Sequence, residues 1–526
     1  MGARFAVDFG TTNTATAYWN EDRNEAEILN LPDLSLDGKL PLVPSLVYAG
    51  QEEVIIGARV RALNLDQRPD RRLFRNFKRS IITPGTEVIR PIEGKPWTDR
   101  DAARYFLTRL LAALPMPLSQ IETLVLTAPV GALDQYLVWL SKTLDVGTTD
   151  KIFVVDESTA AALGYAVRVP GALVLVVDFG GGTLDLSLVQ LPQDRQRTGG
   201  GLNLIRRVRG GEYSAKVIAK TGRALGGSDV DRWLLVEVCQ RLGLTVESLG
   251  DDESPLLTHC ETAKIALSSQ ESVVIEAVIG SKSYSIPFSQ TDLRRLLEVN
   301  GFFGSLRQTL DRLMHVAHRE GIYKEDIEHV ALVGGTTLIP SVRRALQSYF
   351  ENAAQYTEKP FTAVVEGSLM AASGMGLEDY LVNSYGLRHL DPETGAHAYD
   401  EIIPQGTRYP STHPIEVLLG PSHPDQESVE FVIGMLNPEA TSALEVRYED
   451  GKPVFVARPD MQSVQVIALN AGAPPLTAPL DPPGQPGKDR IRAEFRVDAE
   501  RALWVTAIDL QTGKTILENC PLVTLR

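Results

Sequence analysis

The chain has 526 residues, 43% hydrophobic and 23% charged, which is more than one core can hold, so two or more globular domains are expected. Its net charge of −15 leaves no basic excess to displace the counterions of a nucleic acid, which excludes an electrostatic nucleic-acid binder. Cys239, Cys260 and Cys520 stand singly, so neither a disulfide framework nor a zinc site is expected; the longest apolar run, Ala172 to Val177, is far short of a membrane span, and a cytoplasmic protein with no membrane partner is the simplest expectation.

The first predicted element is a strand over Arg4 to Val7, closed by Val7-Asp8-Phe9-Gly10 and followed by the turn Thr11-Thr12-Asn13-Thr14. The same tetrapeptide recurs as Val177-Asp178-Phe179-Gly180, after an apolar strand from Leu173 and before Gly181-Gly182-Thr183-Leu184-Asp185. Glycine lets backbone amides approach an anion closely, hydroxyls add donors, and an aspartate at a strand end can hold a hydrated divalent cation. Two such hairpins facing one another would clamp a nucleotide polyphosphate from both sides. Ordinary strand turns use the same residue types, but an identical tetrapeptide at both places favours the phosphate reading.

Between Gln190 and Gly211 an arginine-rich stretch containing Gly199-Gly200-Gly201 reads as an exposed loop whose charge is a solvated face. Phe303 to Glu320 carries Phe303, Leu306, Leu310, Leu313 and Ala317 at three- and four-residue spacing, which predicts an amphipathic helix. Strands alternating with such helices before residue 380 predict an α/β domain, and the duplicated hairpin predicts two similar halves. Sixteen of the 32 prolines fall from residue 385 onward, so the C-terminal part is of another kind. There, alternation over 428–433, 463–467 and 501–507 between turn-rich segments predicts an antiparallel β domain.

Ala6 to Asn13, Val177 to Asp185 and Val330-Ala331-Leu332-Val333-Gly334-Gly335-Thr336-Thr337-Leu338-Ile339-Pro340 resemble the two phosphate motifs and the adenosine motif of the actin-like ATPases. Asp156-Glu157-Ser158-Thr159-Ala160-Ala161-Ala162-Leu163 and Leu225-Gly226-Gly227-Ser228-Asp229-Val230-Asp231 resemble the 70-kDa heat-shock (DnaK-like) chaperones in particular. The resemblance covers residues 4 to about 379 and extends more weakly into the C-terminal part, where 493–498 and 509–514 are similar to the last strands of that family's β-sandwich. It implies a nucleotide-binding domain over 1–379 with two lobes around a cleft, a linker over 380–388, and a β-sandwich over 389–526 for substrate or partner.

Residue by residue, the resemblance implies ATP and Mg2+ as cofactors, with Asp8 and Asp178 holding the ion through water. Gly10, Thr11, Thr12 and Asn13 would face the β- and γ-phosphates, and Gly180, Gly181, Gly182 and Thr183 the γ-phosphate from the other side. Lys78 matches the phosphate-contacting lysine and Glu157 the acid that positions the attacking water; with Asp178 and Thr183 they form the catalytic set. Glu261, Lys264 and Ser268, on one helix face, match the ribose and adenine contacts, and Gly226, Gly227, Gly334, Gly335 and Leu338 complete the nucleotide set. A helix surface with an ion pair at i, i+3 would look the same in isolation.

The departures are as specific as the matches. Leu338 stands where an arginine commonly stacks on adenine, Leu137 where an arginine relays nucleotide state, and Phe153 where an arginine helps receive J-domain co-chaperones. The linker segment Asp379-Tyr380-Leu381-Val382-Asn383-Ser384-Tyr385 holds only two aliphatics, and the sequence ends at Arg526 without the helical lid of the family. The leading expectation is therefore a slowly hydrolysing, ATP-binding chaperone-like protein whose lidless β domain binds unfolded or extended polypeptide. A nucleotide exchange factor would fit the set of partners, and a J-domain protein would not. Competing readings are a nucleotide-gated scaffold for one dedicated protein partner and a small-molecule kinase of the same superfamily; no residue set for a polar acceptor supports the kinase.

Overall fold

The computed structural model describes residues 3–38, 40–82, 88–130, 136, 139–140, 142–144, 152–165, 169, 171–191, 214–373, 376–381, 383–390, 396–437, 444–449, 452–457, 465–470, 475–499 and 501–525. Leu137, Val382 and the arginine-rich stretch from 192 to 213 lie outside these residues. The chain divides into two compact units, Met1–Leu377 and Glu378–Arg526.

In the first unit, one sheet runs in the order Ile152–Asp156, Ile121–Ala128, Ala3–Asp8, Asn13–Asn20, Glu25–Ile28. Its first three strands are parallel, and the last three are joined antiparallel. A second sheet repeats that plan with Ala354–Tyr356, His329–Val333, Leu173–Phe179, Leu184–Gln190 and Ser214–Arg223. The duplicated tetrapeptide occupies the same place in both. The pleat sends Val7 and Phe9 one way and Asp8 the other, and likewise Val177, Phe179 and Asp178. The two valines and two phenylalanines are fully buried, with Phe9 stacked on Phe77 at 6.0 Å and Phe179 stacked on Phe302 at 5.0 Å between ring centroids.

Two helices lie between the sheets: Glu157–Tyr165 packs on the second sheet, and Ala363–Ala372 on the first. They cross at Gly164 and Gly367, where only a glycine fits. A Cβ on Gly367 would lie 1.7 Å from the carbonyl oxygen of Ala160, and one on Gly164 2.4 Å from that of Ala363. All nine residues of Glu157–Tyr165 are buried, so the Ala-rich sequence 160–162 is a consequence of close helix approach. The amphipathic helix expected at 303–320 is found at Phe302–Arg319, with Phe302 rather than Phe303 wholly buried.

The second unit is antiparallel β among the described residues, with no helix. One sheet runs His397–Ile403, Ser384–Leu390, Ile433–Asn437, Gln465–Ala468, and another Ile415–Leu419, Ile491–Val497, Ala502–Asp509, Thr515–Thr524. Tyr385, Leu387 and Met435 of the first share one core with Phe495, Leu503 and Val505 of the second. Residues 380–388, expected as a linker, are therefore largely built into this unit: Ser384–Leu390 is an internal strand paired on both sides, and the Ser384 hydroxyl accepts from the Gln405 amide at 3.0 Å. Tyr385 and Leu387 alternate over too few positions to mark a strand beside the polar Asn383-Ser384 pair. Among the described residues no helix is long and apolar enough to cross a membrane.

Candidate functional site

A cavity of about 220 Å³ opens between the two sheets of the first unit, at the ends of the strands that carry Asp8 and Asp178. Its lining includes Asp8, Gly10, Thr11, Thr12, Asn13, Lys78, Glu157, Asp178, Gly180, Gly181, Gly182, Thr183, Gly227, Glu261, Lys264, Ser268, Gly334, Gly335 and Leu338. Residues spread over 330 positions of sequence thus converge on one space. Gly226 is the exception. It does not line the cavity but abuts the second hairpin, since a Cβ there would sit 2.4 Å from the carbonyl oxygen of Gly181. The Gly227 and Ser228 amides then donate to Gly180 and Gly181 at 3.0 and 2.8 Å, so this glycine pair seats the start of helix Gly227–Leu242 under the turn.

The two hairpins face each other directly. A Cβ on Gly181 would fall 2.1 Å from Thr12 Oγ1, and one on Gly182 2.5 Å from Thr11 Oγ1. Glycine is therefore required on one side so that hydroxyls fit on the other. Ser45 fixes the first turn: its amide donates to Thr12 at 2.8 Å and its hydroxyl to the Gly10 carbonyl at 2.8 Å. Thr336 fixes the second, donating to the Gly180 carbonyl at 2.8 Å. Gly334, at φ +81° and with a would-be Cβ 2.4 Å from the Phe179 carbonyl, brings the third loop against the same turn.

Charge is concentrated at the cavity floor. Lys78 is buried and ion-paired to the equally buried Glu157. Burial alone would lower the Lys78 pKa, but the attraction of Glu157 and Asp8 outweighs it and holds the ammonium above its usual value. Asp8 is pushed up to about 6 by burial and then by the Glu157 charge, against the pull of Lys78 and of the Thr127 hydroxyl that donates to it at 2.7 Å. Asp178 is driven well above the carboxylate range by burial first, then by Glu157, Asp8 and Asp185. One ammonium thus faces several enclosed carboxylates, a surplus of negative charge that a divalent cation would neutralise. Among the described residues no three His, Cys, Asp or Glu side chains are grouped to ligate an ion directly, so a donor set of this kind fits an ion that keeps water and phosphate in its shell.

At the other end the cavity is apolar. Ile265, which is 56% exposed, joins Leu338, Ile339 and Phe361 in the lining. Lys264 spends two of its three N–H donors on Asp231, at 2.8 Å, and on the Gly227 carbonyl, at 3.0 Å. Glu261 pairs with Arg61 at 3.5 Å and Arg75 at 3.8 Å. Ser268 bonds back to the Lys264 carbonyl at 3.4 Å.

Sequence reasoning missed Ile265, Phe361 and Thr336, and it missed the bridges between the halves: Arg79 to Asp229 at 2.8 Å, Ser228 to Asn76 at 2.8 Å, and Thr258 to the Asp66 carbonyl at 2.8 Å. Phe153 is half-buried against the cluster containing Ala6, Val125 and Val365, which packs the sheet behind the cleft.

These features define an α/β protein whose topologically repeated halves enclose a glycine- and threonine-lined cleft with a buried Lys–Glu pair. Residues 146–375 match the model of the family described as Hsp70 protein. The chain is 24% identical to a protein named Chaperone protein HscA homolog of Cupriavidus metallidurans, over 96% of its own length and 76% of the relative's. It is 23% identical to one named Chaperone protein DnaK of Thermotoga maritima, over 97% and 78%, and 25% identical to the DnaK of Thermosipho melanesiensis over the same shares. The chain is thus similar to the Hsp70 chaperones.

Proposed function

We propose that the first unit binds MgATP and hydrolyses it slowly, and that the second unit binds extended polypeptide, making the chain an ATP-dependent chaperone-like protein. The observation that carries this reading is the direct apposition of Thr11-Thr12 to Gly181-Gly182 above the Lys78–Glu157 pair. Backbone amides and hydroxyls of both hairpins would cradle the phosphates, and magnesium, held through water by Asp8 and Asp178, would supply charge neutralisation there. Lys78 would stabilise charge that grows on the terminal phosphoryl group, while Glu157 orients the attacking water and accepts its proton. Glu261, Lys264 and Ser268 would meet the ribose, and the apolar end would hold the base.

Leu338 and Ile265 give that end aliphatic surface and no cation. Leu338→Arg should tighten ATP binding by about 0.5–2 kcal/mol, the range for a cation over an aromatic face. Calorimetry that finds no gain would place Leu338 away from the base.

For the second unit, support comes from its antiparallel β architecture and from Leu418 and Ile467, 54% and 42% exposed on its strands. Asn383 and Ser384 interrupt the aliphatic run, and Phe153 stands in the first sheet in place of an arginine. We therefore expect peptide and nucleotide to be weakly coupled, with peptide release differing less than about tenfold, roughly 1.4 kcal/mol, between ATP and ADP. Stopped-flow release of a fluorescent peptide measures this. A hundredfold difference, or stimulation of turnover by a J-domain protein, would contradict it.

A further inference from the structure

We infer that the cleft takes guanine nucleotides as readily as adenine nucleotides, because the end that would hold the base offers apolar surface and an open edge rather than a fixed pattern of donors and acceptors. The inference rests on the ATPase reading of the cleft and deepens it by naming the range of its substrate.

The two purines share one fused ring and differ at its edge. Adenine carries an amino donor at position 6 where guanine carries a carbonyl acceptor, so a protein tells them apart through a donor or acceptor held in place there. Where such a group is built in, the wrong base leaves it unpaired and rejection is large; a pocket of apolar surface rejects weakly.

Ile265, Leu338, Ile339 and Phe361 present aliphatic and aromatic surface in the lining at this end. The Phe361 ring lies against the loop that follows strand His329–Val333, its Cε1 atom 3.3 Å from where a Cβ on Gly335 would stand. Polar groups of that loop are already engaged. The Gly334 amide donates to the Pro360 carbonyl at 2.7 Å, and the Thr337 and Ile339 amides donate to the Gly334 and Thr336 carbonyls, each at 3.2 Å. The Thr336 hydroxyl is taken by the Gly180 carbonyl at 2.8 Å, and the Ile265 carbonyl by the Ser268 amide at 3.1 Å.

Ser268 is the polar side chain next along the sequence from this wall, and it is an adaptable one. Its hydroxyl reaches the Lys264 carbonyl at 3.4 Å, a long bond that a better partner would displace. A hydroxyl can turn to donate or to accept, so even where it meets the base it serves the amino group of adenine and the carbonyl of guanine alike. Ile265 is 56% exposed, so the wall it forms borders solvent, and water can satisfy either edge. What the apolar side chains contact is the face of the ring, which both purines share.

The test uses the full chain with magnesium and three ligands: ATP, GTP and inorganic tripolyphosphate. Calorimetry measures the affinities, and single-turnover phosphate release is followed for the two nucleotides. ATP and GTP should bind within about tenfold of each other and release phosphate at rates within the same factor. Both should bind at least about tenfold more tightly than tripolyphosphate, since the base buries apolar wall that the inorganic chain does not reach. A preference of more than tenfold for either purine would overturn the inference while leaving the ATPase reading in place. Nucleotides that bind no better than tripolyphosphate would overturn it too, because the base would then not be held at the apolar end. Binding of neither nucleotide would remove the ATPase reading itself, and this inference with it.

Discussion

Lys78→Ala should lower single-turnover phosphate release by about 100- to 1,000-fold, the loss usual when one preorganised charge-stabilising donor is removed from a dry site. Nucleotide affinity should change far less, because the hairpin amides and hydroxyls that hold the phosphates remain. Breaking a buried ion pair by deleting one partner can cost about 3–5 kcal/mol of stability, which would confuse the readout. Here the cost is relieved by protonation. Asp8 already stands at about 6, so a proton taken up by the carboxylate group can replace part of the lost positive charge. The folded variant should accordingly bind ATP, and Thr183→Ala should behave similarly without disturbing the Lys78–Glu157 pair. Equal losses in turnover and affinity would show that these groups only bind substrate.

Gly367→Ala should destabilise the first unit by about 3 kcal/mol or more, at the upper end of what overpacking costs. The added methyl would lie 1.7 Å from the Ala160 carbonyl oxygen, on the backbone of a helix that cannot yield locally. Relief requires separating Glu157–Tyr165 from Ala363–Ala372, and those helices pack on opposite sheets. Glu157 is the first residue of its helix, so the same displacement would move it from Lys78 and depress nucleotide binding as well. Chemical denaturation would measure the first effect and calorimetry the second. A variant within about 0.5 kcal/mol of wild type, the range of substitutions away from such features, would mean that the crossing is looser than its geometry indicates.

The cleft was legible in the sequence where chemistry restricts the choice of residue. Only glycine lets Gly181 pass Thr12, and Asp8 and Asp178 close matching strands and line the same cavity, so these motif residues stand out in the sequence without knowledge of their partners. Other parts were set by long-range pairing that leaves no local mark. Arg79 and Asp229 are 150 positions apart, and neither differs from any surface charge in its own neighbourhood. Phe9, Phe77 and Phe106 form one wall from three separate segments, and Tyr136 joins it from a fourth. The division between the units falls after Leu377, two residues before the expected boundary at Asp379. Asp379 is buried and accepts from Tyr409 at 2.9 Å within the second unit, a pairing 30 positions away that leaves no local mark. Gly226 shows the limit of carrying a role by motif position: the glycine is needed for packing beneath the hairpin and not for lining the cavity.

Single-turnover phosphate release from the full chain, with and without magnesium, is the most direct test of the reading as an ATPase. Slow release of one phosphate per chain, dependent on magnesium and lowered about 100-fold or more by Lys78→Ala, is the result expected. Release that is absent in the wild type, or unchanged by removing either magnesium or Lys78, would contradict the assignment of this cleft to ATP hydrolysis.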